Sequence, residues 1–579
     1  MLKSFEPLRQ YFIKNQWYLA AGFMSIIIVD ILQLIIPRII KRVIDCLAGG
    51  LTSEAALLRY ALLIIITALL IAVFRFAWRY CIIGTSRRIE RGLRNHLFAH
   101  IIRLPLNSLI QTKTGDLMAR MTNDLEAVRM CTGIGLVALI DTVFLGIASV
   151  SFMLYISPAL TFFCLSPMIL IVFTTWRLSR LLHLRFSRVQ AAFSTLTEKV
   201  RETIAGITVI KAYVREKQTA DDFKTISQDY IRKNLSLVKI WGLLFPLIIF
   251  FTNLSIGMLI FFGGRLTIEN NITPGDFVAF ASYLWIITWP MIALGWVVNL
   301  FQRGSASMVR LNDVLNMDTE VFIRTDKVSF PETRGCIEIR NLTFSYSGAG
   351  ESVLNNISLS IRAGETIGIT GKTGSGKTTL CNLLHRFFNP PSGTIFFDDV
   401  DICDLPLKKL RSSIAYVPQD SFLFSDTIHE NISFGKHNAR PEQIHECAQA
   451  AQIMDEIMDF EVDFNTMIGE RGVTLSGGQK QRLCIARALL IPAPILMLDD
   501  TLSSFDVATT RKIVATLRTA KTKRTSIIVS NRIETIKHAD KIFVFADGLI
   551  IESGKHKELI DKGGLYYNLY LRQQLEGET

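Results

Sequence analysis

Thr366-Ile367-Gly368-Ile369-Thr370 runs straight into Gly371-Lys372-Thr373-Gly374-Ser375-Gly376-Lys377-Thr378, with Thr379 behind it. The first five residues read as a strand. The next eight fit the phosphate-binding pattern G-x-x-x-x-G-K-[ST] in full, and they open a helix, which is the setting the pattern requires. Glycines here let successive backbone N–H groups converge on phosphate oxygens, and the helix start adds its dipole. Lys377 is placed to reach the terminal phosphates of a nucleotide and Thr378 to offer its hydroxyl to Mg²⁺. A chance glycine-rich loop is the alternative, and the strand and helix on either side speak against it.

Downstream, Ile495-Leu496-Met497-Leu498 is an apolar strand ending in Asp499-Asp500. Open α/β sheets bind ligands at the C-terminal ends of their strands, so Asp499 is the expected Mg²⁺ carboxylate, acting through water. Between loop and strand lies Leu475-Ser476-Gly477-Gly478-Gln479, followed by Lys480-Gln481-Arg482. A Ser-Gly-Gly run opening a helix presents N–H groups and a dipole to an anion. Alone it reads as any capped helix start; just before an acidic strand and roughly a hundred residues after a phosphate loop, it is distinctive. Short β-branched runs alternate with helical segments over 335–579, predicting an α/β domain. A polar linker with Pro331, residues 311–334, precedes it.

Upstream the composition changes. The chain has 579 residues, half of them hydrophobic and only 20% charged, with a positive mean hydropathy. That balance fits a chain that is part membrane and part globular. Six apolar stretches, at residues 17–36, 60–74 with flanks, 133–155, 161–176, 240–264 and 277–301, approach the roughly 20 residues needed to span hydrocarbon. Residues 1–310 are therefore read as an all-α membrane domain of six transmembrane helices. The connections 75–131 and 177–239 are long, polar and helix-compatible, and are expected to extend the spans as helices.

The net charge of +12 does not point to nucleic acid, because the basic residues are scattered and gather beside apolar segments. Arg87, Arg88, Arg91, Arg94 and Arg103 follow the second span; Arg177, Arg180, Arg185 and Arg188 follow the fourth. The 156–160 turn has no charge, and the 264–276 loop has the single arginine Arg265. The positive-inside rule then puts both termini and the nucleotide domain in the cytoplasm, and the chain is expected as a multi-pass protein of the cell inner (plasma) membrane. The segment from Lys3 to Lys14 runs into Trp17 without an A-x-A-like cleavage site and reads as an interfacial helix. Nine singly spaced cysteines argue against a disulfide framework.

Asp30 and Asp141 lie inside predicted spans. They read either as cation or substrate contacts, or as hydrogen-bonded helix contacts facing a wet cavity. Tyr283, Trp285, Trp289 and Trp296 read either as the lining of an apolar substrate cavity, or as interface anchors and core packing.

Phosphate loop, Ser476–Gln479 and acidic strand, preceded by six spans, resemble a half-transporter of the ABC exporter family, similar to bacterial multidrug exporters. That resemblance implies ATP and Mg²⁺ as ligands and a second half-transporter as partner. It also implies contact with membrane lipid and an amphipathic small-molecule, lipid or peptide substrate. It assigns Tyr346 to adenine stacking, Gln419 to Mg²⁺ and to sensing the membrane domain, and Asp506 to communication across a dimer. Thr466–Gly472, Lys113-Thr114-Gly115-Asp116 and Lys211–Glu216 resemble the segments that couple the two domains.

Two positions depart from the family pattern. Asp500 stands where the family has a glutamate as general base, and Asn531, in Ile527-Ile528-Val529-Ser530-Asn531-Arg532, where it has a histidine near the γ-phosphate. Together they resemble the altered member of a heterodimeric exporter, whose own site binds ATP and hydrolyses it poorly. A slow homodimeric exporter and an ATP-gated channel on the same scaffold are the alternatives.

Overall fold

The computed structural model describes residues 2–49, 53–318, 333–346, 351–469, 472, 475–503, 505–519 and 524–577. Most of the expected linker, residues 319–332 with Pro331, lies outside them. The chain divides into two compact units, Met1–Ile102 with Thr112–Met317, and Arg103–Gln111 with Asp318–Thr579.

The first unit is helical. A 3₁₀ turn, Leu2–Leu8, leads into the short helix Arg9–Lys14. Six long helices follow: α1 (Gln16–Ala48), α2 (Glu54–Arg103), α3 (Thr114–Ile156), α4 (Pro158–Ala205), α5 (Glu216–Ile268) and α6 (Pro274–Leu315). Each carries an apolar window long enough to cross a membrane, and all six expected spans fall inside them. Helix α4 has 48 residues, so at 1.5 Å per residue it is about 70 Å long, more than twice the ~30 Å hydrocarbon core. Its surplus, with that of α2, α3 and α5 and the short helices Leu106–Gln111 and Ile207–Ala212, accounts for the two polar connections, which are helical as expected. Their starts follow local chemistry. Ser157 caps α4 through Oγ, with Pro158 at its first position. Thr273 and Asp276 form a reciprocal capping box around Pro274 at the start of α6.

Helix α1 packs against α2, α3 and α6, and α4 lies along α5. Leu34, Met153, Cys164, Met168, Phe280 and Leu284 fill the centre. Tyr283 belongs to this core: it is buried, donates its hydroxyl to Leu34 O at 3.1 Å and stacks on Phe152. Trp285, Trp289 and Trp296 are exposed on this chain. At one end of the α1–α6 seam Lys41 pairs with Asp276 at 2.5 Å, and the Asp45 carboxylate accepts from Gly275 N and Thr273 Oγ1. Asp30 is fully buried. Asp141 and Arg75 are its charged neighbours.

The second unit holds two sheets. An antiparallel sheet runs in the order β2-β1-β4-β5, from β1 (Ile337–Phe344), β2 (Leu354–Ile361), β4 (Ile395–Phe397) and β5 (Val400–Asp401). A six-stranded sheet runs β10-β9-β3-β8-β7-β6, from β3 (Thr366–Gly371), β6 (Ile414–Val417), β7 (Ile495–Asp499), β8 (Thr525–Val529), β9 (Lys541–Ala546) and β10 (Leu549–Gly554). Within it β6, β7, β8, β3 and β9 are mutually parallel. Alternation along β7 sends Ile495 and Met497 into one core, with helix α7 (Lys377–Leu384) and the antiparallel sheet. Leu496 and Leu498 enter a second core, with helix α8 (Gly477–Leu490). A strand apolar on both faces has to be covered on both. At about 1.5–3 kcal/mol per buried aliphatic side chain, β7 alone is a large contributor to the unit's stability.

Candidate nucleotide-binding site

The parallel strand order brings four loops to one edge of the sheet: the phosphate loop after β3, Gln419 after β6, Asp499-Asp500 at the end of β7, and Asn531 after β8. These positions are far apart in sequence, and the sheet collects them.

The phosphate loop is shaped by two glycines. Gly371 has φ +147°, and a Cβ there would lie 2.1 Å from Phe545 O; Gly376 has φ +95°, and a Cβ would lie 2.6 Å from Leu354 Cδ2. Only a residue without a side chain fits either place. The loop closes over Lys377, whose Nζ donates to Gly371 O and Lys372 O, both at 2.8 Å. Burial pulls the Lys377 ammonium below its ordinary pKa, and Asp500 and Asp499 pull the other way. Thr378, next along α7, donates its hydroxyl to Asp499 Oδ1 at 3.3 Å. Thr379 is reached by the Tyr346 hydroxyl at 3.0 Å, and the Tyr346 ring packs edge-on against Phe344 and Phe388. Lys372, Thr373 and Gly374 are exposed at the loop's crest, and Ser375 is buried within it.

Asp499 is fully buried and its carboxyl is pushed up by that burial, against the Thr378 and Tyr416 hydroxyls that bond to it. The Tyr416 contact, 3.4 Å to Oδ2, is a positioning role that the bare run Tyr416–Gln419 did not disclose. A carboxylate and a threonine hydroxyl side by side are hard oxygen donors of the kind Mg²⁺ takes, so these two residues fit the ion. Gln419 is exposed on the loop after β6.

Asp500 and Asn531 meet. The Asn531 side-chain amide donates to Asp500 Oδ2 at 3.3 Å, and its backbone N–H approaches Oδ1 at 3.5 Å. Asp500 sits in the left-handed region at φ +49°, a conformation that aspartate adopts more readily than most side chains. Asp500 N donates to Val529 O and Ser503 Oγ donates to Asp500 O, which fixes the turn. Burial raises the Asp500 carboxyl, and the bond from Asn531 opposes this. Gln573, in the C-terminal helix Leu565–Gly577, donates to Asn531 O at 2.6 Å. Nothing in the sequence marks Gln573, because the contact joins residues whose strand and helix are brought together only by the fold.

Ser476 caps α8 in a closed box: its Oγ accepts from Gln479 N at 3.2 Å, and Gln479 Oε1 accepts from Ser476 N at 2.8 Å. Two of the helix's first N–H groups are thereby satisfied within the run. Those of Gly477 and Gly478 are the ones left to face an anion. Asp506 is exposed and caps the helix Val507–Thr519, accepting from Thr509 N at 2.9 Å, a bond that holds its carboxyl below the usual range. Of the expected segment Thr466–Gly472, Glu470 and Arg471 lie outside the described residues, as does Ser504 of the Ser503–Asp506 loop.

Residues 19–291 match the family model described as ABC transporter transmembrane region, and residues 354–503 the one described as ABC transporter. A Bacillus subtilis protein, "Probable multidrug resistance ABC transporter ATP-binding/permease protein YheI", is 35% identical over 98% of this chain and 97% of its own length. The chain is an ABC transporter. In organisation it is an exporter half-transporter: one membrane domain of six apolar helices followed by one ABC nucleotide-binding domain of the ATP-hydrolysing family. It is thus a multi-pass membrane protein. The transporter is also 34% identical to the Escherichia coli "Multidrug resistance-like ATP-binding protein MdlA", over 99% of this chain and 97% of that one. To an "ATP-dependent lipid A-core flippase" of Haemophilus ducreyi it is 31% identical, over 99% and 98%. A solved "bacterial Atm1-family ABC exporter with ATP bound" has the same fold, with a TM-score of 0.77 over 96% of this chain and 98% of that one, at 24% identity.

Proposed function

We propose that this chain is the altered subunit of a heterodimeric exporter, binding ATP at its own phosphate loop while contributing its Ser476–Gln479 run to the partner's competent site. The Asp500–Asn531 contact carries this reading. A base needs a lone pair free to take a proton from the attacking water, in line with the γ-phosphorus. Asp500 is one methylene shorter than glutamate, and one oxygen is engaged by a neutral amide that cannot become cationic. Gly371 to Thr379 hold the phosphates and Tyr346 meets the adenine, while Thr378, Asp499 and Gln419 hold Mg²⁺, whose charge offsets that of the triphosphate. Asp506, Thr466–Gly472, Lys113–Asp116 and Lys211–Glu216 carry the coupling.

The substrate is amphipathic: a drug, lipid or peptide moved out of the cytoplasm across the inner (plasma) membrane, with both termini inside. The multidrug and lipid names of the relatives and the exposed tryptophans of α6 support this class. The test is co-purification from the native host, then ATP hydrolysis by the isolated chain and by the pair. A different ABC half-transporter should co-purify and be required for turnover; vigorous hydrolysis by this chain alone would overturn the proposal.

A further inference from the structure

We propose that the junction between the N-terminal segment and α2 is a binding site for an anionic phospholipid headgroup. Two segments 73 residues apart meet there: Arg88 donates to Asn15 Oδ1 at 3.4 Å and its guanidinium lies 4.2 Å over the Tyr18 ring. One turn further along α2 the Tyr11 ring rests on Gly92, where a Cβ would be 2.3 Å from it. The N-terminal segment therefore runs along α2 in the opposite sense, and Lys14 and Arg91 flank the crossing, both exposed.

No carboxylate pairs with Lys14, Arg88 or Arg91 among the described residues, whereas the neighbours Arg87 and Arg94 are taken by Glu90. Arg88 is oriented by Asn15 and Tyr18 but, like Lys14 and Arg91 on the same two segments, has no carboxylate to neutralise it, and such a field needs an anion. Beside them Ile13, in the short helix Arg9–Lys14, is 55% exposed and Trp17, at the start of the apolar helix α1, 80%. Phosphate on the cations with an acyl chain along Ile13 and Trp17 satisfies both halves of this surface. An acidic peptide would satisfy only one. Each basic residue near an anionic surface adds about fivefold to the attraction. This inference rests on the membrane reading of the helices and is independent of the ATP site.

The test uses the transporter with whatever partner it purifies with, in nanodiscs of phosphatidylcholine and phosphatidylglycerol, followed by mass spectrometry of the lipids retained after detergent washing. Phosphatidylglycerol should be enriched over its bulk share. The enrichment should fall roughly fivefold in Lys14→Gln, and further in Arg88→Gln/Arg91→Gln. Arg265→Gln, at the other side of the bundle, should leave it unchanged. Lys14 guards against misfolding of the double variant, since its exposed side chain supports no packing. Equal enrichment in all variants overturns the site, and so does equal loss of both lipids. If phosphatidylglycerol retention is unaltered while a polyglutamate peptide binds only the wild type, the surface is a protein contact and the proposal fails.

Discussion

Asp500 and Asn531 act on one another, so changing either alone leaves the other misfit. Asp500→Glu restores reach, but it leaves the asparagine amide where the family uses an imidazole, and a base misplaced by ~1 Å costs on the order of a hundredfold. Single-turnover hydrolysis in a pair whose partner site is disabled should therefore rise little in Asp500→Glu and markedly in Asp500→Glu/Asn531→His, because groups acting together are not additive. Equal rates would remove Asn531 from the account. Both identities were legible in the sequence; their contact was not, since it depends on β7 and β8 being neighbours. His385 is a second case hidden from the sequence. It is buried against Phe387 and Tyr416, and burial, reinforced by Arg411, lowers it to about 4. A histidine with a depressed folded-state pKa stabilises above its unfolded value near 6.5, and that stability is lost as pH falls toward 4. At pH 5 the loss is about 2 kcal/mol. His385→Phe should flatten the melting temperature of the nucleotide-binding domain between pH 7 and 5, measured by thermal denaturation.

Short local signals were enough to place the phosphate loop, the capped helix α8 and the six spans. The glycine pattern predicted a turn, and the turn's tolerance is now explicit. Gly371→Ala would drive a methyl group into the backbone of β9, so it should abolish binding of a fluorescent ATP analogue and lower the domain's melting temperature. Gly374→Ala, where a Cβ meets nothing within 4 Å, should cost far less, limited to the strain of its φ of +84°. At α8, Ser476→Ala removes a cap worth about 1 kcal/mol. Ser476→Thr keeps the oxygen and most of the stability. If both variants lose transport while only the alanine loses stability, the hydroxyl's surroundings serve the partner's nucleotide as well as the helix. Less was legible where elements leave α-helical geometry. The π-helical turns Arg79–Ile83, Arg120–Asp124, Cys131–Gly135 and Leu259–Gly263 interrupt apolar or amphipathic periodicity without a proline or other local signal that marks them.

At the scale of the molecule, the division into six apolar helices and an α/β unit follows from composition and periodicity, which are read one segment at a time. The heterodimeric pairing proposed above depends on a second chain, which this sequence does not encode. The purified chain alone should turn over ATP well below the range of about 1–10³ s⁻¹ typical of enzymes, with activity appearing when its partner is added; a cooperative homodimer at ordinary rates would contradict this. The order β6-β7-β8-β3 has a further consequence. Neighbouring strands lie about 4.8 Å apart, so their four loop ends form a row roughly 14 Å long, about the reach of one nucleotide. A molecule lying along that row slows amide hydrogen exchange in four peptides that are distant in sequence, around residues 371–379, 419, 499–500 and 531. The rim at β4 and β5, in the other sheet, should exchange as before, so that mass-resolved exchange would read out the order of the strands directly.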